Sequence, residues 1–440
     1  MAVAATLSSF AVPGVLGWGA AGHEIVATIA QIYTEPAALD KLCQIMNAHT
    51  GANFAVEDNV GGGYHGHGDE ELRGLWADGG VRPAEDEWPC HLASVATWAD
   101  KLKYRMRWSA PLHYVNGAGD HPPNTCLFPG PEGWMGTPNI NVLGGIFNTS
   151  NILLDFADGE LHDVGLAQEA LKFIVHFFGD LHMPLHLVGR DRGGNGVDVC
   201  WEGRRTNFHS VWDNYMVAKA IRLTSYNYTR PLPGGFERVE KSLQGAIYDP
   251  FVRKIVWEGV EQKWGEELEG WIACPAGEGL DEAEKGIKGE ETVWSTLRDF
   301  FMPGWFMRRS ADIPLTDTEY ICPYHWAKPI HALNCELIWP TEIDEDHGNG
   351  LLSRYAASGP RRPRCARFPH PHLDGFGGEG DEMEADAADG EPPYELDNPK
   401  YTGPIEERML LEQFLAQGGV RLAAVLNYIF ANQASIKRVY

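Results

Sequence analysis

The stretch "HFFGDLHMPLH", residues 176–186, sets three histidines and one carboxylate into an apolar run. Upstream of it, "DVGLAQEALKFIV" (163–175) carries apolar residues at helical spacing, which predicts a helix over 163–182. His176 and Asp180 stand four residues apart, so they project from one face of that helix. Pro184 ends the helix and turns the chain, letting His186 reach back toward the same point. A second pair, His209 and Asp213 in "NFHSVWDNY" (207–215), repeats the spacing. Imidazole and carboxylate are donors that zinc accepts, and no cysteine lies in either cluster to suggest a thiolate site. One such pair is more often a surface hydrogen bond, and His182 reads as a core histidine outside the ligand set. Two pairs plus His186, all within apolar helices, would be costly to bury without a metal.

The helical period recurs in "HEIVATIAQIY" (23–33), "FHSVWDNYMVAKAIR" (208–222) and "EERMLLEQFLAQGGVRLAAVLNYIF" (406–430), whereas few stretches alternate like strands. This predicts an all-α fold: a single mainly helical domain over 18–440 with long loop insertions. The insertions are expected at 51–90, 274–291 and 341–393, where Gly and charge dominate. The last joins a basic patch to an acidic one and reads as largely disordered. A chain of 440 residues with 44% hydrophobic residues and 15 Trp can bury a substantial core. Its net charge of −25 opposes broad duplex binding, which rests on phosphate contacts, but not an enzyme whose metal ions supply positive charge locally.

Ahead of the helices, residues 1–17, "MAVAATLSSFAVPGVLG", are small, apolar and uncharged. They suit a secretory signal peptide cut after Gly17, which would make Trp18 of "WGAAGH" the first residue of the mature chain. Its α-amino group would then be a possible metal ligand. The plainer reading is that Trp18 merely begins an apolar helix. Eight cysteines without a CxxC pair suggest disulfides in an exported protein, though 105 pairings are open. The sequons at Asn148 and Asn227 agree with export as glycosylation sites. No later apolar run reaches transmembrane length, so a soluble protein in the extracellular space or a secretory or vacuolar compartment is expected.

Two further pieces complete a pattern: Asp100 in "WADKLK" and His113 in "PLHYVN". With "WGxxGH", "HxxxDxHxPLH", "GGN", "HSxWD", "WAxxxHxLNCxxxWP" and a terminal "GVRLAAVLN", the chain resembles the secreted zinc-dependent single-strand-specific nucleases of fungi and plants, relatives of the bacterial zinc phospholipases C. The resemblance covers residues near 18–50, 92–215, 320–340 and 394–430. It implies three Zn²⁺ ions. Asp100, His113 and His176 would hold one, and the Trp18 amine and carbonyl with His23 a second, with Asp180 bridging the two. His186, His209 and Asp213 would hold the third. A hydroxide shared by two zincs would attack phosphorus in line, leaving 5′-phosphates on single-stranded DNA and RNA, with 3′-nucleotidase activity besides. Lys103, three residues after Asp100, and Asn195 in "GGNGV" would contact the phosphate at the catalytic centre, although an Asn between glycines is also an ordinary turn residue. Tyr114 would stack a nucleobase. Asn116 stands where many relatives have Asp, which leaves base preference open. Cys126 and Cys335 lie in segments that the family joins by a disulfide. A monomer with no stable protein partner and no membrane span is implied.

Two rivals remain. In the phospholipase C branch the last ligand is typically Glu and the first His lies farther from the Trp, whereas this chain has Asp213 and a short Trp18–His23 spacing. A non-catalytic secreted zinc-binding protein would usually have lost one of the eight side-chain ligands, and all are present. If Trp18 is the mature N-terminus and a ligand, one extra residue before it acylates the amine. Metal counting on that variant should show weakened retention at the Trp18–His23 site, and full metal content with full activity would refute the reading.

Overall fold

The computed structural model describes residues 18–48, 90–275 except 132 and 138, 317–345, 365 and 392–431. The expected signal peptide at 1–17 lies outside them, as do the expected insertions apart from their edges and Cys365. The described residues are mainly helical, in agreement with the all-α expectation, with one small two-stranded sheet.

Helix α1 (Ala20–Tyr33) is followed by α2 (Pro36–Asn47), which Pro36 opens at a position where no helical N–H is lost. The short α3 (Trp98–Leu102) precedes a pair of long helices, α4 (Val142–Ala157) and α5 (Val164–Leu181), packed on one another. Both start on side-chain caps: Gly144 N donates to Asn141 Oδ1 at 3.0 Å, and Leu166 N to Asp163 Oδ1 at 3.0 Å. Strands β1 (Asp198–Trp201) and β2 (Arg204–Asn207) form an antiparallel hairpin whose two turn residues, Glu202 and Gly203, both have positive φ, as a tight primed turn requires. Asn207 then caps the helical segment that begins at Phe208, accepting from Ser210 N at 2.8 Å. After α6 (Pro323–Leu333) the fold closes with α7 (Pro399–Arg408) and α8 (Leu410–Phe430).

Helix α8 is the axis of the core. It packs along α1 and touches α2, α4 and α5, and its buried positions run right round the helix. The approach to α1 is close because Gly418 and Gly419 lack side chains: a Cβ on Gly419 would lie 2.5 Å from Ile29 Cβ. Among the described residues no single helix is long and apolar enough to cross a membrane. Four disulfides pair all eight cysteines: Cys43–Cys90, Cys126–Cys335, Cys200–Cys365 and Cys274–Cys322.

One expectation is corrected here. Asn148 is 0% exposed in the middle of α4, so a glycan on it could not fit in the folded chain, whereas Asn227 lies exposed on a surface turn. The sequon at 148 is a helix sequence that happens to read Asn-Thr-Ser.

Gly419→Val should force α1 and α8 apart and cost about 1–3 kcal/mol, the usual range for overpacking. Denaturant unfolding would read this as a lower midpoint, and an unchanged midpoint would show that the two helices are not in contact as described.

Candidate metal centre

Helix α5 carries both His176 and Asp180 on its buried face. The Asp180 carboxylate has four imidazoles around it. Oδ2 lies 2.9 Å from His113 Nδ1 and 3.3 Å from His176 Nε2, while Oδ1 lies 3.2 Å from His186 Nδ1 and 3.6 Å from His23 Nε2. Burial alone would raise the Asp180 carboxyl, but attraction to His176 and His113 and hydrogen bonds from His113 and His186 hold it well below the usual carboxylate range. Burial, with His176 beside it, depresses His23 to about 3, so its imidazole stays neutral and keeps a lone pair at neutral pH.

Three groups of donors converge within 4.8 Å: His23–His176–Asp180, Asp100–His113–His176 and His186–His209–Asp213. A fourth group, Asp120–Cys126–His331, also meets the distance criterion. Its sulfur is spent in the bond to Cys335, and Asp120 Oδ2 lies 3.0 Å from His331 Nε2, a contact that ties a loop to α6.

The three His/Asp groups fit cations in the orientation of their rings. His176 Nδ1 donates to Ala96 O at 2.7 Å and His209 Nδ1 to Gly193 O at 2.7 Å, and His186 Nδ1 lies 2.6 Å from His113 O. A backbone carbonyl thus fixes the tautomer and leaves Nε2 as the donor, which is how proteins orient metal-binding histidines. Among the described residues, both ring nitrogens of His23, Nε2 of His113 and one oxygen each of Asp100 and Asp213 are buried without a hydrogen-bond partner. Each such orphan costs about 1–3 kcal/mol if nothing answers it. So many in one place fit a bound cation.

Local structure departs from the simple helical spacing at the second pair. His209 sits on a short α-helical turn (Phe208–Ser210), but Asp213 sits on a π-helical segment, Val211–Tyr215, before α-helix resumes at Met216–Leu223. The wider turn still brings His209 Nε2 within 3.1 Å of Asp213 Oδ2, and such π turns are frequent at functional sites.

Residues 18–272 match the family model described as S1/P1 Nuclease, more than half of the chain. The chain belongs to the S1/P1 nuclease family. It is 29% identical to Endonuclease 2 of Arabidopsis thaliana over 64% of this chain and 82% of that protein. Against Nuclease S1 of Aspergillus oryzae the figures are 34% over 46% of this chain and 56% of that protein. Nuclease P1 of Penicillium citrinum gives 31% over 46% of this chain and 60% of that protein. The chain is accordingly a hydrolytic nuclease, a phosphodiesterase acting on nucleic acid.

Around the His/Asp groups, the nuclease brings the other sequence candidates to one region. Gly19 N donates to Asp213 O at 2.8 Å, which holds the backbone of the fully buried Trp18 beside the third donor group. Lys103 is buried, with Nζ 3.6 Å from Asp100 Oδ1 and no hydrogen-bond partner among the described residues. Asn195 follows Gly193, whose carbonyl holds His209, and its Nδ2 donates to Arg192 O at 2.9 Å. Tyr114 and Asn116 are half-buried on the segment whose Val115 N donates to His186 O at 2.9 Å. His182 stands apart from the donor groups, as its core reading anticipated: Nδ1 donates to Phe178 O and Nε2 accepts from Arg421 at 2.8 Å.

Sequence reasoning gave two residues no role of their own. Fully buried Asn334 donates to Pro184 O at 3.1 Å and so braces the turn that delivers His186; the motif "WAxxxHxLNCxxxWP" contained it without assigning it a task. Gly179 lies against His23, and a Cβ there would overlap Nδ1 of that ring. Gly179→Ala should therefore leave helix content unchanged but displace His23 and weaken metal retention by about 10–100-fold. Dialysis against graded chelator followed by metal counting would measure this, and wild-type retention would disprove the proposed crowding.

Proposed function

We propose that this nuclease is a secreted, trizinc endonuclease that cuts single-stranded DNA and RNA to 5′-phosphorylated products and also removes phosphate from 3′-nucleotides. The observation that carries the reading is the buried Asp180 carboxylate encircled by His23, His113, His176 and His186, with Asp100, His209 and Asp213 completing the donor groups. Asp100, His113 and His176 would hold one zinc; the Trp18 amine and carbonyl with His23 a second; His186, His209 and Asp213 the third. Asp180 would serve the first two. Zinc held by these residues would supply Lewis acidity toward phosphoryl oxygens and lower the pKa of bound water toward about 7.

The chain's own residues supply the rest. Lys103 carries a desolvated ammonium beside Asp100, with N–H groups uncommitted to any hydrogen bond, and would donate to the scissile phosphate as its charge grows. Asn195 would donate from Nδ2 to a second phosphate oxygen by exchanging its bond to Arg192 O. Tyr114 offers a ring for sequence-indifferent stacking, and Asn116 can donate or accept at the base edge. The four disulfides support an oxidising compartment, in keeping with a signal peptide at 1–17, and a glycan is proposed at Asn227 alone. No stable protein partner is invoked, and the working unit is a monomer.

Release of acid-soluble 5′-phosphorylated fragments from single-stranded DNA and from RNA, and of phosphocholine from phosphatidylcholine, with and without chelator, tests the reading against the phospholipase C alternative. Lys103→Ala should keep near-normal zinc content and lower kcat by about 10²–10³ with a smaller change in KM, as expected when a transition-state donor is lost. Wild-type turnover in Lys103→Ala, alongside inactivity of Asp100→Ala, would transfer the role to Asn195.

A further inference from the structure

Residues 101–113 hold four cations, Lys101, Lys103, Arg105 and Arg107, and no Asp or Glu, in a chain whose net charge is −25. Both ends of the run are pinned to the metal centre. Asp100 precedes it on α3, and the 3₁₀ segment Arg107–His113 ends it on a donor. Inward-facing Leu102, Lys103, Trp108 and Leu112 anchor the run, with the Trp108 ring 5.6 Å from that of Phe173. A tight turn, in which Arg105 N and Met106 N both donate to Leu102 O at 2.8 Å, throws the intervening residues outward. Tyr104 is 70% exposed, Arg105 and Arg107 are exposed, and among the described residues neither arginine pairs with a carboxylate.

From this we infer that Tyr104, Arg105 and Arg107 form a binding track for the single-stranded polynucleotide beyond the scissile phosphate. The inference rests on the single-strand nuclease reading and adds what decides between a polymer and a short substrate. Consecutive Cα atoms are 3.8 Å apart, so Arg105 lies within about 8 Å and Arg107 within about 15 Å of Lys103, the residue assigned to the scissile phosphate. That is the reach needed for neighbouring phosphates of the same strand. The Tyr104 ring, centred 5.8 Å from Lys103 Nζ, offers a stacking face between them. An aromatic face beside backbone-tracking cations is the usual means of holding a single strand without reading its sequence. In a chain whose net charge is −25, two guanidinium groups without a carboxylate partner among the described residues are a place where a polyanion can lie.

The test compares a poly(dT) oligonucleotide with a dinucleoside monophosphate, which has only the scissile phosphate, across a salt series. Arg105→Ala/Arg107→Ala should raise KM for the oligonucleotide about tenfold at low salt and flatten the log–log salt slope by about 1.4, or about 0.7 per lost phosphate contact on a single strand. Cleavage of the dinucleoside monophosphate should be unchanged, which also certifies folding. Arg105→Lys/Arg107→Lys should retain the salt slope, because the contact is made by charge. Equal loss on both substrates, no loss on either, or equal damage by the lysine pair would each overturn the track. A wild-type enzyme that cuts duplex but neither single-stranded substrate would instead overturn the underlying reading, and the track with it.

Discussion

A carboxylate kept ionised at the centre of the protein is the constraint on which the rest of the structure depends. Asp180 has no solvent exposure, and burying a lone charge at such a depth is unfavourable by several kcal/mol. The surrounding rings answer it only in part, since burial lowers both His23 and His176 toward the neutral form. His23 and His176 stack at 3.8 Å, a closeness that two imidazolium ions would not tolerate. The arrangement fits further positive charge at this place, and the fold is a scaffold for holding polar groups in a place they would not choose.

The scaffold does this chiefly with main chain. Carbonyls of Ala96, His113 and Gly193, from three separate segments, set the three imidazoles that need orienting. Main chain is well suited to the task because its position is fixed by neighbouring elements rather than by a rotamer. The hairpin explains why a strand pair exists in an otherwise helical fold. It folds the chain back between the Gly193 loop and His209, so that loop and imidazole stay in register through the bond from Phe208 N to Val197 O at 2.9 Å.

What the sequence revealed follows from what chemistry writes into side chains. His176, Asp180, His209 and Asp213 were legible because their residue types and spacing are uncommon in apolar helices, and the long helices were legible from their period. The π segment at Val211–Tyr215 was not, because a change in winding leaves no mark on residue type. Nor were the orienting carbonyls, which every residue possesses. Asn148 shows the opposite failure: its sequon is a three-residue pattern, while accessibility belongs to the whole packed helix. Of the four disulfides, only Cys126–Cys335 could be expected, since pairing depends on which distant segments meet.

Helix α8 joins the two ends of the chain. Asn427 accepts from Glu35 N at 2.7 Å and donates to Tyr33 O at 3.0 Å, closing the end of α1, and Arg421 reaches His182 directly after the donors of α5. Contacts that span nearly four hundred residues cannot form during synthesis of the first half. Helix α1, which carries His23, therefore gains its packing against α8 only after residues 410–430 have been made. Closure over so long a stretch is slow, because loop entropy is lost before the contact rewards it. Until then the His23 imidazole rides on a helix without its principal neighbour.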